Sequence, residues 1–430
     1  MPSVYIETYG CQMNLADTEI VLGHLARCGY VRAGEPSRAD VILVNTCAIR
    51  EHAEGRVLGR LGDLARYKLR RPHVRIGLAG CMAQHVRDRL MNAMPHLDFV
   101  VGPDAYRRLP ELLGGDQFMD VRLDRDETYA DITPERDGGV RAWITIMRGC
   151  DKFCTFCIVP YVRGRERSLP VAAVLDQVRS VASQGYREVV FLGQTVNAYR
   201  DGAIDFATLL RVANAVDGIA RIRFTSPHPS DMTAPVIEAM AACEKVCPQV
   251  HLPVQTGADA VLTRMARGYT REGYLALVER LRAMVPDVAL STDIIVGFPG
   301  ETEADFEATL DLLRVVRFDS AFMFTYSRRE PTKAAKWSET VSGAEKSRRL
   351  QAVIALQERI AAEVNAAMVG RNVEVLVEGP ARRRAGWVAG KTPQFKTTVF
   401  PDCGARPGEV VQVGIAESTA HTLIGTAVSS

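Results

Sequence analysis

The spacing of apolar and polar residues changes along the chain, and each change marks a different kind of unit. Val4-Tyr-Ile-Glu-Thr-Tyr9 alternates like a strand, and from Asn14 to Cys28 the apolar residues recur at helical spacing and stop before Gly29. Val41-Ile-Leu-Val44 reads as a short buried strand, followed by a charged helical stretch from Arg50 to Leu69. Val74 to Leu78 predicts a third strand, Met82 to Met94 another helix, and Leu97 to Val101 a closing strand. Strands that alternate with helices predict an N-terminal doubly wound parallel α/β domain over residues 1–123. Between Asp124 and Gly139 the composition turns charged and ends on a Gly-Gly pair, which reads as a linker.

The central pattern repeats strand and helix again. Candidate strands are Ala142–Met147, Glu188–Leu192, Arg221–Thr225, Val250–Pro253, Val288–Val296 and Ser320–Tyr326, with amphipathic stretches such as Val171–Gln184 and Arg271–Met284 between them. Six such units over residues 136–366 predict a partial, TIM-like (βα)6 barrel. A helix from Ala344 to about Met368 follows. Residues 369–430 then carry five short alternating runs, Val373–Val377, Trp387–Gly390, Lys396–Val399, Val410–Val413 and Thr422–Thr426, punctuated by Gly and Pro. These predict a small antiparallel β-barrel of the oligonucleotide-binding kind.

Composition narrows the classes without choosing among them. With 430 residues, 47% hydrophobic and 24% charged, the chain can bury a core in each of its domains. A net charge of +2 leaves any nucleic-acid binding to local patches. Met1 to Gly10 lacks the basic and apolar regions of a leader, and no apolar run approaches the ~20 residues of a membrane span. A cytoplasmic protein with no membrane contact is expected. Ten cysteines in that setting point to metal ligation or reactivity, with Cys28, Cys243, Cys247 and Cys403 read as ordinary thiols.

The remaining six cysteines carry the chemistry. Cys150, Cys154 and Cys157 form a C-x3-C-x2-C run directly after the first barrel strand, at the face where barrel active sites lie. Three thiols cannot all pair with one another, and a structural zinc site usually takes four ligands. Three soft thiolates on one loop suit an iron–sulfur cluster with one iron open for chemistry. Cys11, Cys47 and Cys81 each follow a predicted strand of the N-terminal domain. Ligands bind outside the carboxyl ends of such strands, so these three are expected to converge as a second cluster site.

C-x3-C-x2-C with Phe156 before its last cysteine resembles the radical S-adenosylmethionine enzymes. Three additional N-terminal cysteines and a small C-terminal barrel resemble, within them, the methylthiotransferases. Tyr9-Gly-Cys-Gln-Met-Asn14, Asn45-Thr-Cys-Ala-Ile-Arg-Glu51 and Cys154-Thr-Phe-Cys-Ile-Val-Pro-Tyr-Val-Arg-Gly-Arg-Glu-Arg-Ser168 are similar to the branch that modifies dimethylallyladenosine in tRNA. The resemblance implies a TRAM-type RNA-binding barrel at the C-terminus and two 4Fe-4S clusters. One, on Cys150, Cys154 and Cys157, would chelate S-adenosylmethionine and generate a 5′-deoxyadenosyl radical. The other, auxiliary, on Cys11, Cys47 and Cys81, would hold the sulfur to be inserted at carbon 2 of N(6)-dimethylallyladenosine beside the anticodon. A second S-adenosylmethionine would supply the methyl group. The cofactors carry the difficult chemistry while the protein positions them. A low-potential electron donor and a monomeric state are further expectations.

Weaker candidates surround these six. Phe156, Gln194, Gln255 and Glu301 are candidates to contact S-adenosylmethionine, although Gly193-Gln194-Thr195 departs from the superfamily's Gly-Gly-Glu and Glu301 also suits a helix start. Arg163, Arg165 and Arg167 lie beside the cluster loop as ligands for tRNA phosphate or for the cofactor carboxylate, with salt bridges to Glu166 as the competing reading. His228 and His251 read as structural. In the C-terminal domain Arg382, Arg383 and Arg384 stand beside Trp387, with Lys391, Phe395 and Lys396 nearby, a mixture suited to RNA backbone and bases. Two other functions fit less well: the same chemistry on threonylcarbamoyladenosine or on a ribosomal protein aspartate, and a non-enzymatic iron–sulfur carrier. The carrier would need four cysteines per cluster.

Overall fold

The computed structural model describes residues 1–47, 51–86 and 88–428. Ala48, Ile49 and Arg50 of the second cysteine motif lie outside the described residues, as does Arg87 in the third predicted helical stretch.

Six parallel strands build the N-terminal sheet: β1 (Ser3–Tyr9), β2 (Val31–Arg32), β3 (Val41–Thr46), β4 (Arg75–Gly80), β5 (Phe99–Val101) and β6 (Phe118–Asp120), in the order β2-β1-β3-β4-β5-β6. The order reverses between β1 and β3, so the expected doubly wound topology is present with its switch point there. Helix α1 (Gln12–Arg27) leaves β1 at that point and buries Ile20, Val21, Leu22 and Leu25 on one face of the sheet. The helix Glu51–Arg70 packs Val57, Leu61 and Leu64 on the other. β3 is buried along its whole length, as a strand covered on both faces must be.

Residues 124–139 do not behave as a free linker. Tyr129 and Ile132 are buried in the core beneath α1, Arg107 pairs with Glu127 and Asp131, and the backbone of Glu135 donates to Glu19 O at 2.9 Å. The segment straps the N-terminal domain. Glu127 and Asp131 pair with Arg107, Asp137 with Arg32 and Arg136 with Glu19, all partners that lie earlier in the chain.

The six barrel strands form two parallel triplets. Glu188–Leu192 lies between Arg141–Thr145 and Arg221–Phe224, and Ala289–Val296 lies between Gln249–His251 and Ser320–Thr325. Among the described residues an isolated backbone bridge, Ile222 to Val246, links the first triplet to the chain just before the second. Ile144, Phe191, Phe224, Leu290 and Phe318 fill the interior and the helix contacts. The C-terminal domain is a closed five-stranded barrel in the order Asn372–Pro380, Trp387–Lys391, Thr397–Pro401, Thr422–Ala427, Val410–Ser418.

This small barrel docks on the amino ends of the central strands. Arg221 donates to Lys391 O (2.6 Å) and pairs with Glu374 (2.6 Å), and Arg223 donates to Thr392 O (2.9 Å) and Pro393 O (2.7 Å). Phe395 lies under the guanidiniums of Arg141 and Arg223, and Lys396 reaches Asp319 at 2.6 Å. Lys391, Phe395 and Lys396, expected at RNA, are therefore engaged in the domain interface. The reason is that the loop carrying them meets a carboxylate and arginine cluster at the bottom of the barrel. The cysteine loop lies at the opposite, carboxyl end of the same strands. Among the described residues no helix is long and apolar enough to cross a membrane.

Candidate iron–sulfur centres

The topological switch point brings Cys11, Cys47 and Cys81 together. Registers Tyr9↔Thr46 and Thr46↔Gly80 align the ends of β1, β3 and β4, and each cysteine stands one or two residues beyond that row. Asn14 and Asn45 brace the ends across the sheet. Asn14 Nδ2 donates to Asn45 Oδ1 (3.2 Å), while Asn45 Nδ2 donates to Asn14 O and to Thr18 Oγ1, both at 2.9 Å. Gly10 sits at φ +150, and a Cβ there would meet the Cys47 side chain at 2.7 Å. Only glycine allows that approach.

Cys47 lies within hydrogen-bonding reach of both other thiols. Sharing with Cys47 lowers the Cys11 thiol to about 6 and lowers Cys81, with the Arg163 guanidinium reinforcing both, whereas Cys47 itself is pushed far up. Such a set favours anionic sulfur but cannot hold three thiolates without a cation. Among the described residues no group of three or more His, Cys, Asp or Glu is arranged to hold a single metal ion. A purely thiol donor set of three suits a multi-iron cluster better than zinc, calcium or magnesium.

Cys150, Cys154 and Cys157 occupy the loop after the short strand Met147–Arg148. Gly149 (φ +79) starts the loop hard against the Arg165 carbonyl, so a side chain has no room there. Gln194 Oε1 accepts from Gly149 N at 2.5 Å, Thr155 Oγ1 donates to Arg264 O at 2.8 Å, and Phe153 turns the chain at φ +48. Thr195 Oγ1 lies 3.0 Å from Cys150 Sγ, and Arg267 Nη1 donates to Cys154 Sγ at 3.3 Å. Burial raises the Cys157 thiol to about 12 and also raises Cys150 against the opposing Thr195 hydroxyl. Buried thiols that resist ionisation need a cation to become ligands, and iron provides one.

The weaker candidates separate. Phe156 packs edge-on to Phe298 at 6.4 Å, beside the loop. Gln194 is committed to Gly149, so its oxygen braces the loop. Gln255 sits at φ +76 on the barrel's carboxyl face with Oε1 buried and unpaired, a strained residue with a free acceptor. Glu301 takes Gly297 N and Arg349 Nη1 (2.8 Å) on one oxygen and leaves Oε1 buried without a partner. It clamps the Gly297–Gly300 turn onto the helix Gly343–Ala366, and Thr302 with Asp305 forms the expected capping box. Arg163 is buried and pairs with Asp17 at 2.8 Å; Arg167 is buried on Asp104 at 2.9 Å. Neither faces solvent RNA, because α1 and the Asp104 loop cover this edge. Arg165 is exposed, paired with Asp151 and stacked over Phe153. Arg383 is exposed, and Arg384 stacks on Trp387 at 4.6 Å.

Sequence reasoning gave no role to Arg267, Asp17 or Arg148; the first two belong to no local motif, and Arg148, although it heads the cysteine run, finds its partner in a distant domain. His228 accepts from Ser230 N through Nδ1 (3.3 Å), which places its proton on Nε2, and that nitrogen is buried without a partner. Burial, with Arg267 and Lys152 nearby, lowers His228 to about 2, so it is a neutral donor and not a fully satisfied structural histidine.

Known proteins resemble the chain over nearly its full length. Residues 144–313 match the Radical SAM superfamily, residues 3–102 match Uncharacterized protein family UPF0004, and residues 366–428 match the TRAM domain. A tRNA-2-methylthio-N(6)-dimethylallyladenosine synthase of Chloroherpeton thalassium is 46% identical over 99% of this chain and 96% of its own length. That of Carboxydothermus hydrogenoformans is 46% identical over 99% of both. Among solved structures, the radical S-adenosylmethionine methyltransferase TsrM from Kitasatospora setae superposes with a TM-score of 0.58 at 13% identity, covering 90% of this chain and 81% of that one. The cobalamin-dependent S-adenosylmethionine radical enzyme OxsB gives 0.56 at 15% identity, covering 83% of this chain and 56% of that one. These two share the fold.

Proposed function

The chain belongs to the family of tRNA-2-methylthio-N(6)-dimethylallyladenosine synthases, and from that premise we infer that it methylthiolates carbon 2 of N(6)-dimethylallyladenosine in tRNA. The observation that carries this reading is the pair of three-thiol sets on adjoining domains, one at a sheet switch point and one on a barrel face. Cys11, Cys47 and Cys81 hold the auxiliary cluster, and Cys150, Cys154 and Cys157 hold the cluster that meets S-adenosylmethionine. When bound, these groups supply a radical able to take hydrogen from an unactivated aromatic carbon, and the sulfur that replaces it, with a second S-adenosylmethionine giving the methyl group.

The chain's own residues bind and orient. Thr195 and Arg267 fix the sulfurs of Cys150 and Cys154. The unpaired Oε1 of Gln255 and Nε2–H of His228 offer an acceptor and a donor to the polar parts of S-adenosylmethionine. Phe156 and Glu301 wall the same end of the barrel. Arg165 beside the loop, and Arg383 with Trp387 in the TRAM domain, are the groups left open to tRNA phosphates and bases. The reaction consumes electrons, so a low-potential donor is a required partner. A cytoplasmic monomer is the simplest setting for it.

The test is tRNA from a strain lacking this protein, digested to nucleosides and separated by mass. Loss of the methylthio form of dimethylallyladenosine, restored by the chain and not by its Cys154→Ala variant, is the expected result. An unchanged level of that nucleoside in the deletion strain refutes the assignment.

A further inference from the structure

One buried carboxylate ties the two cysteine sites together. Asp17, on α1 just past Cys11, is fully buried; its Oδ1 accepts from Arg148 Nη2 at 2.7 Å and its Oδ2 pairs with Arg163 Nη2 at 2.8 Å. The Tyr106 hydroxyl donates to the same Oδ2 at 3.4 Å. Arg148 immediately precedes Gly149-Cys150, and Arg163 ends the short helix Val159–Arg163 that follows Cys157. Both arginines come from the central barrel domain, whereas Asp17 and Tyr106 come from the N-terminal α/β domain.

Arg163 does more than close this ion pair. Its Nε donates to Cys81 Sγ at 3.0 Å, and Cys81 packs against Ile158 and Val162 of the same barrel segment. Its Nη1 is buried with no acceptor among the protein groups. A donor left over at a thiol site is available to the inorganic sulfur of a cluster. Among the described residues, Arg163 is the charged side chain that donates to a sulfur of this set, that of Cys81, whereas Cys11 Sγ donates to Asn14 Oδ1 at 3.4 Å.

We propose that Arg163 is a positioning residue for the auxiliary cluster: its N–H to the Cys81 sulfur raises the cluster's reduction potential, and Asp17 holds the guanidinium in place to do so. Hydrogen bonds to ligand sulfur draw electron density from the cluster and favour its reduced form. A guanidinium suits the task because one edge can engage the carboxylate while Nε reaches the sulfur, which a lysine ammonium cannot reproduce. The same residue thereby ties the segment that follows the radical-generating loop to the sulfur-bearing domain.

This inference rests on the proposed reading of Cys11, Cys47 and Cys81 as cluster ligands, and the experiment separates the two. Full-length protein carrying Cys150→Ala, Cys154→Ala and Cys157→Ala is reconstituted anaerobically with iron and sulfide, leaving the auxiliary site as the cluster site. Iron content is measured, and the midpoint potential is followed by electron paramagnetic resonance, with and without Arg163→Gln or Arg163→Lys. The expected result is retained iron with a downward shift of the midpoint in Arg163→Gln and a smaller downward shift in Arg163→Lys. Retained iron with an unmoved midpoint overturns the proposal, since a merely structural ion pair would leave the potential alone. If Arg163→Gln loses its iron, Arg163→Lys decides, and an unshifted midpoint there is equally fatal. Absence of iron in the parent triple variant overturns the cluster reading itself.

Discussion

Replacing Glu188 by Gln isolates the charge arrangement that seats the TRAM domain. Glu188 is fully buried at the start of its strand, with Oε2 accepting from Arg223 Nε at 2.8 Å and Oε1 paired to Arg141. Burial opposes its ionisation, but Arg223 and Arg141 outweigh that and hold the carboxyl below its ordinary range. Arg141 has a second carboxylate, Glu378, at 2.7 Å, whereas the nearly inaccessible Arg223 otherwise meets the Thr392 and Pro393 carbonyls and the Phe395 ring, none of them charged. The substitution therefore strands one buried guanidinium. Removing one partner of a buried pair costs about 3–5 kcal/mol, and the amide oxygen that remains argues for the lower end, about 3 kcal/mol. A three-domain chain does not unfold in one step, so a global melting point is the wrong readout. Hydrogen exchange resolves the local opening instead. Amides of Arg221–Phe224 and of the loop around Thr392 should exchange roughly 100-fold faster. Adding Arg223→Met should recover most of the protection, because an apolar side chain no longer needs the carboxylate. An acceleration below about threefold at both places would refute the reasoning.

Four further outcomes follow. Cys154→Ala should lower bound iron from about eight to about four per chain and abolish cleavage of S-adenosylmethionine, while the auxiliary cluster's spectrum persists; iron still near eight would contradict it. Gly149→Ala places a Cβ against the Arg165 carbonyl at φ +79, so the loop should fail to assemble its cluster, seen as the same halving of iron. Burial raises Glu19 to about 7 beside a lowered Arg136, so the folded chain holds this proton more tightly than the unfolded one. That contribution is present below about pH 4.5 and is lost as pH rises through 7; Glu19→Gln should thus stabilise α1 at pH 8 relative to pH 5 by up to about 3 kcal/mol in exchange measurements, and an equal effect at both pH values would exclude it. Arg383→Ala should weaken tRNA binding and flatten its salt dependence without changing stability, whereas Phe395→Ala should destabilise the docked barrel; the reverse pattern in filter binding and exchange would place the RNA surface elsewhere.

Local pattern was enough for much of this molecule. Period-two and period-3.6 spacing located the strands Glu188–Leu192 and Arg221–Phe224 and the helices Gln12–Arg27 and Gly343–Ala366 within a few residues, because each element buries one face and that face is written in its own sequence. The Cys150 to Cys157 run was legible because its three thiols stand together on one short loop. Cys11, Cys47 and Cys81 were legible because strand ends in a parallel sheet share an edge. Short units such as β2 and β6 were not, since two or three residues carry no period.

What the sequence could not decide was the fate of charges. Arg163 and Arg165 lie two residues apart in one basic run, yet one is buried against Asp17 and Cys81 while the other stays at the surface. Lys396 looked like an RNA ligand and became a docking contact with Asp319. The segment 124–139 looked like a linker and became a strap. In each case the partner lies far away in the chain, and a lone arginine or lysine has the same local signature whether it ends in water or between two domains. Hydrophobic periodicity is a property of one element, but charge pairing belongs to the meeting of two, and only the folded chain brings Asp17 to Arg148 and Arg163 between the two cysteine sites.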